Sequence, residues 1–166
     1  MNDTRPRFPL AYLITSRAFG TWLHGDERGS VDRYRNAAGS PYIPPSPGWL
    51  DFRMRTLKHP PVKLDAHRRR AVEAALRDTC AYRAWGLLAI SVRTNHVHTV
   101  VAAHQTPDRV LNAFKTNAKR HMRETGCWSY EHSPWAQGGS RRYLWTERSV
   151  ECAIKYVVDG QGEPLE

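Results

Sequence analysis

Cysteine is scarce in this chain, and long apolar runs are missing. The 166 residues include three cysteines, Cys80, Cys127 and Cys152, and no two of them have the close spacing of a zinc knuckle or a redox motif. We therefore expect reduced thiols. No apolar run approaches the roughly 20 residues that a membrane-spanning helix needs, and no signal-peptide core follows Met1. These absences predict a cytoplasmic protein without a membrane anchor.

Acidic residues are also few relative to basic ones. The chain has 16 Asp and Glu against 25 Lys and Arg, which gives a net charge of +9. Many of the basic residues are arginines, whose guanidinium groups form bidentate contacts with phosphate. Excess charge of this sign in a chain this small favours nucleic acid over an acidic metabolite as the partner. The length is typical of one domain, and we expect residues 1–166 to form one.

Two periodicities alternate along the chain. The stretches whose side-chain pattern has the two-residue period of a strand are 8–19, 85–93, 96–104 and 141–146. The stretches with apolar residues at helical spacing are 65–83, 106–126 and 149–159. Their order predicts an α+β fold, a ferredoxin-like αβ sandwich with a central antiparallel sheet and an appended C-terminal helix. Residues 20–61 are rich in Pro and Gly and show neither period, so we predict an extended insertion there.

The stretch Asn95-His96-Val97-His98-Thr99-Val100-Val101 contains a pair of histidines two residues apart. Its β-branched residues favour an extended strand, in which side chains alternate between faces, so both imidazoles project to one side. Two neutral imidazoles on one face can hold a divalent metal ion. The alternative, an ordinary polar strand face, is the more common meaning of this spacing.

Tyr156 lies in the last helical stretch but outside its apolar stripe. At about 100° per residue it lies well round the helix from Ile154 and Val157, so its hydroxyl can face a site while those residues anchor the backbone. Gly160 then favours the end of the helix. The alternative is a tyrosine at the helix surface or core rim with a hydrogen-bonded hydroxyl.

Together, the histidine stretch, the helix ending Ala153-Ile154-Lys155-Tyr156-Val157-Val158 and the distance between them resemble one family. It is that of the HUH single-tyrosine transposases of bacterial insertion sequences and the related REP-associated tyrosine transposases, where REP denotes a repetitive extragenic palindrome. The resemblance covers most of the chain except 20–61. It implies a ferredoxin-like sandwich, Tyr156 as the nucleophile, and His96 and His98 as ligands of Mg²⁺ or Mn²⁺.

The third metal ligand is where the chain departs from this family. Its members tend to carry Gln or Asn one helical turn after the tyrosine, a position occupied here by Gly160. Gln161 supplies the same type of oxygen ligand just past the end of the helix, and we predict that it is the ligand. Asp159 is the alternative, as is a water molecule that completes the coordination shell.

These residues suggest a reaction on DNA. A tyrosine hydroxyl with a pKa near about 10 is a poor nucleophile, so it needs a phosphate polarised by a metal ion. Attack would form a 5′-phosphotyrosine and release a 3′-hydroxyl, so that strand transfer needs no ATP. Because in-line attack requires a flexible backbone, we expect single-stranded or hairpin DNA, such as palindromic repeats, as substrate. The prediction is a metal-dependent DNA transposase and endonuclease that cleaves and rejoins hairpin-associated DNA.

Basic and aromatic side chains are the candidates for contacts with this DNA. The predicted phosphate-binding residues are Arg68, Arg69, Arg70, Lys115, Lys119, Arg141 and Arg142. The candidates for base stacking are Trp22, Trp135 and Trp145. Two other functions fit the same residues: a domesticated, non-catalytic module that binds DNA or RNA, and a metal-dependent phosphoesterase that uses water. The sequence leaves open whether the active form is a monomer or a homodimer.

Overall fold

One four-stranded antiparallel sheet organises the chain, which the computed structural model describes over residues 6–24, 26, 41 and 43–165. In chain order the elements of this described part are β1 (Ala11–Arg17), α1 (Pro47–Arg55), α2 (Ala66–Arg83), β2 (Gly86–Val92), β3 (His96–Ala102), α3 (Pro107–Glu124), β4 (Ser140–Leu144) and α4 (Glu147–Asp159). The strands lie side by side in the order β2-β3-β1-β4, and every neighbouring pair is antiparallel. The predicted α+β fold with a central antiparallel sheet is therefore confirmed.

Two compact units make up the chain, one of residues 1–18 with 63–166 and one of residues 19–62. The smaller unit nearly coincides with the predicted insertion at 20–61, but the prediction that this insertion is extended is wrong for 47–55, which form helix α1. Ser46 caps α1 and Pro47 occupies its first turn, both of which favour a helix start. None of the α1 residues is buried. A helix that buries no face needs no apolar stripe, so the sequence periodicity does not indicate α1. A single domain over 1–166 stays a prediction.

Helices α2 and α3 pack against each other and against one face of the sheet. Asp65 begins α2 by accepting a hydrogen bond from the Arg68 N–H at 2.9 Å, and Pro107 begins α3. The helix side chains buried in this layer include Val72, Leu76, Val110, Leu111, Phe114 and Met122. Tyr12 of β1 is buried as well and donates from its hydroxyl to the Gln105 carbonyl oxygen at 2.8 Å. This layer is the core that fixes the sheet.

Helix α4 covers the other face of the sheet. Its Ala153 and Val157 form a buried cluster with Ala11, Val100 and Leu144 of three strands. Because strand residues alternate between faces, Val100 lies on the same side of β3 as His96 and His98. The last helix is thus placed on the face that carries both histidines. No helix in the described part of the chain is long and apolar enough to cross a membrane.

Candidate metal and tyrosine site

His96 and His98 project from one face of β3, with ring centroids 4.7 Å apart. Each ring contacts a side-chain oxygen through its Nδ1 atom. The His98 Nδ1 atom lies 2.7 Å from Thr15 Oγ1 on the neighbouring strand β1, and the His96 Nδ1 atom lies 2.7 Å from Asn95 Oδ1. With both Nδ1 atoms engaged, Nε2 is the nitrogen through which each ring can act on a substrate or a metal ion.

The buried position of His98 favours its neutral form. Burial, and secondarily the charge of His96, lower the pKa of His98 from 6.5 to about 4. At neutral pH the ring therefore carries a free lone pair on one of its two nitrogens. A neutral imidazole is the form that coordinates a metal ion.

Tyr156 reaches this histidine pair from the opposite end of the chain. Thr146 and Ser149 form a reciprocal capping box that fixes where α4 starts, and the buried Ala153 and Val157 fix which side of it faces the sheet. Tyr156 then stands at the rim of that interface, 48 % exposed. Its ring meets His98 edge-on, with centroids 5.3 Å apart. About half of the residue is accordingly open to a large substrate.

Gln161 joins the same group from just beyond α4. Its Nε2 atom donates to the Tyr156 carbonyl oxygen at 3.1 Å, and its Oε1 atom lies 3.2 Å from His96 Nε2. Asp159, the alternative third ligand, is exposed at the end of the helix. The structure thus brings the predicted His96, His98, Tyr156 and Gln161 together.

The arrangement of lone pairs in this group suits a divalent cation. When His96 is neutral and its Nδ1–H donates to Asn95 Oδ1, the Nε2 atom presents a lone pair to Gln161 Oε1, which is also an acceptor. Two acceptors at 3.2 Å are reconciled by a proton on His96 or by a cation that both coordinate. No cluster of three His, Cys, Asp or Glu residues suited to a metal ion occurs in the described part of the chain. The amide oxygen of Gln161 lies beside His96 and stays the predicted third ligand.

Most of the predicted phosphate-binding residues hold the protein's own backbone. Lys115 donates to the Ala136 carbonyl oxygen at 2.8 Å, and Lys119 donates to that of Glu131 at 2.7 Å. Burial, and then the positive charges of Arg17 and Arg141, lower the pKa of Lys115. Both ammonium groups thus attach the loop between α3 and β4 to α3, and a role in DNA binding stays a prediction for them.

Three of the candidate arginines also bind other groups of the protein itself. Arg68 donates to the carbonyl oxygens of Cys127 at 3.0 Å and Lys63 at 2.9 Å, Arg69 donates to that of Leu64 at 3.0 Å, and Arg141 pairs with Asp108 at 2.6 Å. Arg70 and Arg142 are exposed. Sequence alone does not separate the three paired arginines from the two exposed ones, because the position of each partner, a loop carbonyl or the Asp108 carboxylate, depends on the fold.

A cavity of about 400 Å³ adjoins Gln161 between α2, β2 and the segment after α4. Arg69, Arg70 and Arg93 line it, and Arg93 also donates to the Glu163 carbonyl oxygen at 2.8 Å. Arg93 is a functional candidate that no local sequence pattern marks. Glu73 also lines the cavity, which is therefore positively charged on balance, and Gln161 connects it to His96.

Two of the three tryptophans proposed for base stacking, Trp135 and Trp145, lie in the larger unit. Trp135 is buried and donates from Nε1 to the Lys115 carbonyl oxygen at 3.0 Å, so its prediction as a stacking residue is wrong. Trp145 is half exposed and lies parallel to Tyr143, with centroids 6.1 Å apart. Trp22 belongs to the smaller unit.

Two solved structures have a similar fold. One is a REP-associated tyrosine transposase bound to a REP hairpin, with a TM-score of 0.51 and 10 % identity over 95 % of this chain and 70 % of that one. The other is a protein described as a transposase from Deinococcus radiodurans R1, with a TM-score of 0.50 and 14 % identity over 99 % of this chain and 100 % of that one. No protein-family model and no curated protein sequence matches the chain. At these identities the likeness shows the fold, and the resemblance inferred from sequence is confirmed at that level.

Proposed function

We propose that this chain is a transposase that cleaves and rejoins DNA, with Tyr156 as its nucleophile. The observation that carries the proposal is the edge contact of Tyr156 with His98, at 5.3 Å between ring centroids, beside a His96 and Gln161 pair 3.2 Å apart. Three separate parts of the fold, β3, α4 and the segment after α4, supply these side chains. Such convergence of a nucleophile and polar ligands in one place is typical of an active site.

The chemistry assigned to each residue follows from its surroundings. His96, His98 and Gln161 would hold Mg²⁺ or Mn²⁺, which when bound polarises the scissile phosphate. The Tyr156 hydroxyl gives up its proton to solvent as its oxygen attacks the phosphorus; an O–P bond forms, and the bond to the 3′ oxygen breaks. The 3′ oxygen takes up a proton and leaves as a hydroxyl, while the 5′ end stays on Tyr156 as a phosphotyrosine. Rejoining is the reverse attack by a 3′-hydroxyl.

We further propose hairpin-associated, single-stranded DNA as the substrate. The similar fold of a protein bound to a REP hairpin supports this choice, as does the net charge of +9. Tyr156 is open to solvent on one side, which leaves room for a flexible strand. Arg70 and Arg142 are exposed candidates for phosphate contacts.

A covalent-adduct assay tests the function. Purified protein is incubated with Mn²⁺ and an end-labelled DNA hairpin that has single-stranded flanks, and adducts are resolved on a denaturing gel. We expect an adduct with the wild type and none with Tyr156→Phe, whose DNA affinity should stay within a few fold because no packing is lost. Tyr143→Phe is the matched control, since Tyr143 is also 48 % exposed, and it should form the adduct normally.

Other outcomes of this assay would reject the proposal. An adduct that persists in Tyr156→Phe would assign the nucleophile elsewhere. Binding with neither adduct nor cleavage would identify a non-catalytic DNA-binding module. Cleavage without any adduct would identify a phosphoesterase that uses water.

A further inference from the structure

The Nδ1 atoms of the two histidines face oxygens of different chemical character. Asn95 Oδ1 only accepts hydrogen bonds, and its 2.7 Å contact with His96 Nδ1 is shorter than the 3.2 Å contact of His96 Nε2 with Gln161 Oε1, so it favours a proton on Nδ1 of the neutral ring. The Thr15 hydroxyl, 2.7 Å from His98 Nδ1, can either accept from an Nδ1–H or donate to a bare Nδ1. The two choices place the proton of neutral His98 on opposite nitrogens.

These choices have opposite consequences for the site. A proton on Nδ1 leaves a lone pair on Nε2, which can bind a metal ion, whereas a proton on Nε2 removes that lone pair. In metal sites generally, the second nitrogen of a ligating histidine donates to an oxygen that fixes the tautomer and the ring orientation. Thr15 and Asn95 are placed where such an oxygen is needed.

We propose that Thr15 and Asn95 are positioning residues that hold His98 and His96 as Nδ1–H tautomers, so that both Nε2 atoms present lone pairs to a divalent cation. The proposal rests on the metal site of the proposed function. It gives a role to a residue of β1 that lies 83 positions from its histidine in the sequence.

The sheet makes Thr15 a rigid partner. Thr15 and His98 are directly opposite each other in the antiparallel pair of β1 and β3, where side chains on one face stand about 5 Å apart. Strand β1 lies between β3 and β4, so it is held on both edges. A threonine is also stiff at χ1, which limits the directions its hydroxyl oxygen can take.

Tautomers can be read directly by NMR. The full chain is labelled with ¹⁵N-histidine, and long-range ¹H–¹⁵N correlations are recorded at about pH 8 without metal or DNA, where neutral imidazoles predominate. We expect the Nδ1–H pattern for His96 and His98. Wild-type protein with His98 protonated on Nε2 would overturn the assignment to Thr15, whatever the adduct assay shows.

Metal affinity gives the second readout. Mn²⁺ is titrated into DNA-free protein and the free ion is followed by electron paramagnetic resonance. Thr15→Val should weaken binding by about 10- to 100-fold and remove the fixed tautomer of His98, as expected for loss of a partner that orients a ligand. Thr15→Ser keeps the hydroxyl and should therefore retain the Mn²⁺ affinity and the fixed His98 tautomer of the wild type. Asn95→Ala should likewise weaken Mn²⁺ binding and remove the fixed tautomer of His96. Asn95→Asp keeps an acceptor oxygen and should retain both properties.

Thr99→Val is the matched control for Thr15→Val. It makes the same chemical change in the adjacent strand, and the Thr99 hydroxyl has no partner in the described part of the chain. We expect unchanged tautomers and Mn²⁺ affinity, and equal losses in both valine variants would refute a specific role for Thr15. Neither the NMR measurement nor the Mn²⁺ titration uses DNA cleavage. A wild type that fails to cleave DNA would therefore reject the proposed function, whereas the tautomer assignment is decided by the NMR result.

Discussion

The Thr99 hydroxyl is buried and has no hydrogen-bond partner among the described residues, so replacing Thr99 by valine should stabilise the protein. Thr99 is 1 % exposed and lies opposite Ile14 and Ile90 in the sheet. Valine has nearly the same shape, with a methyl group in place of the hydroxyl, and it suits a strand equally well. Leaving a buried hydroxyl unsatisfied costs about 1–3 kcal/mol. We expect the free energy of unfolding to rise by about 1–2 kcal/mol.

Thr79 provides a control in which the same substitution should have the opposite sign. Its side chain is buried, donates to the Ala75 carbonyl oxygen at 2.7 Å and accepts from Asn117 Nδ2 at 2.9 Å. Thr79→Val leaves Asn117 without this acceptor, so the free energy of unfolding should fall by about 1–3 kcal/mol.

Urea unfolding followed by far-ultraviolet circular dichroism measures both changes. For a chain of this size 1 kcal/mol corresponds to a shift in Tm of roughly 2–4 °C, so the two variants should separate clearly in a thermal scan as well. If Thr99→Val destabilises the protein as much as Thr79→Val does, the Thr99 hydroxyl has a bonding partner and the reasoning fails.

Three further predictions concern the site and its surface. Gln161→Ala should weaken Mn²⁺ binding by about tenfold or more while Asp159→Ala leaves it unchanged; the reverse result would make Asp159 the ligand. Arg93→Ala should weaken the same binding several-fold, because Arg93 donates to the Glu163 carbonyl oxygen and so holds the segment that carries Gln161; an unchanged affinity would show that the segment is held otherwise. Hairpin DNA binding should weaken steeply with salt, and Arg142→Ala should reduce the slope of log affinity against log salt by about 0.7–0.9; an identical slope excludes a phosphate contact there.

The elements that sequence periodicity predicts well are those with a continuous apolar face. The predicted helix at 106–126 is found at Pro107–Glu124, and the one at 149–159 is found at Glu147–Asp159. Both bury residues at helical spacing against the sheet, so local pattern and tertiary packing agree. Helix α1 escapes the same reasoning because it buries nothing within its unit and depends on its cap.

The roles of basic side chains were harder to predict than their positions. Lys115 and Lys119 lie on α3, as expected, yet each donates to a carbonyl oxygen of the loop that follows. A lysine on the polar side of a helix has the same local pattern whether it meets water or a loop. Only the tertiary position of the loop carbonyls decides between these roles, and the sequence near either lysine does not encode it.

The alternation of a single strand places His96 and His98 on one face, but it does not identify Thr15 as the partner of His98. That pairing depends on the register between β1 and β3, and a shift of one residue would turn Thr15 to the opposite face. Register is set by the buried residues of both faces together. It is therefore a property of the assembled sheet that short-range patterns cannot supply.

Gly160 gives a physical reason why the amide beside His96 belongs to Gln161 and not to residue 160. The Gly160 N–H bonds to the Tyr156 carbonyl oxygen at 3.0 Å as the helix ends, and a Cβ atom at Gly160 would lie 2.6 Å from that oxygen. A side chain at position 160 is thus incompatible with this turn. The same carbonyl has a second lone pair, which accepts from Gln161 Nε2 and thereby directs Gln161 Oε1 to His96. A turn without a side chain at position 160 therefore lets Gln161 fold back over Tyr156 and reach His96.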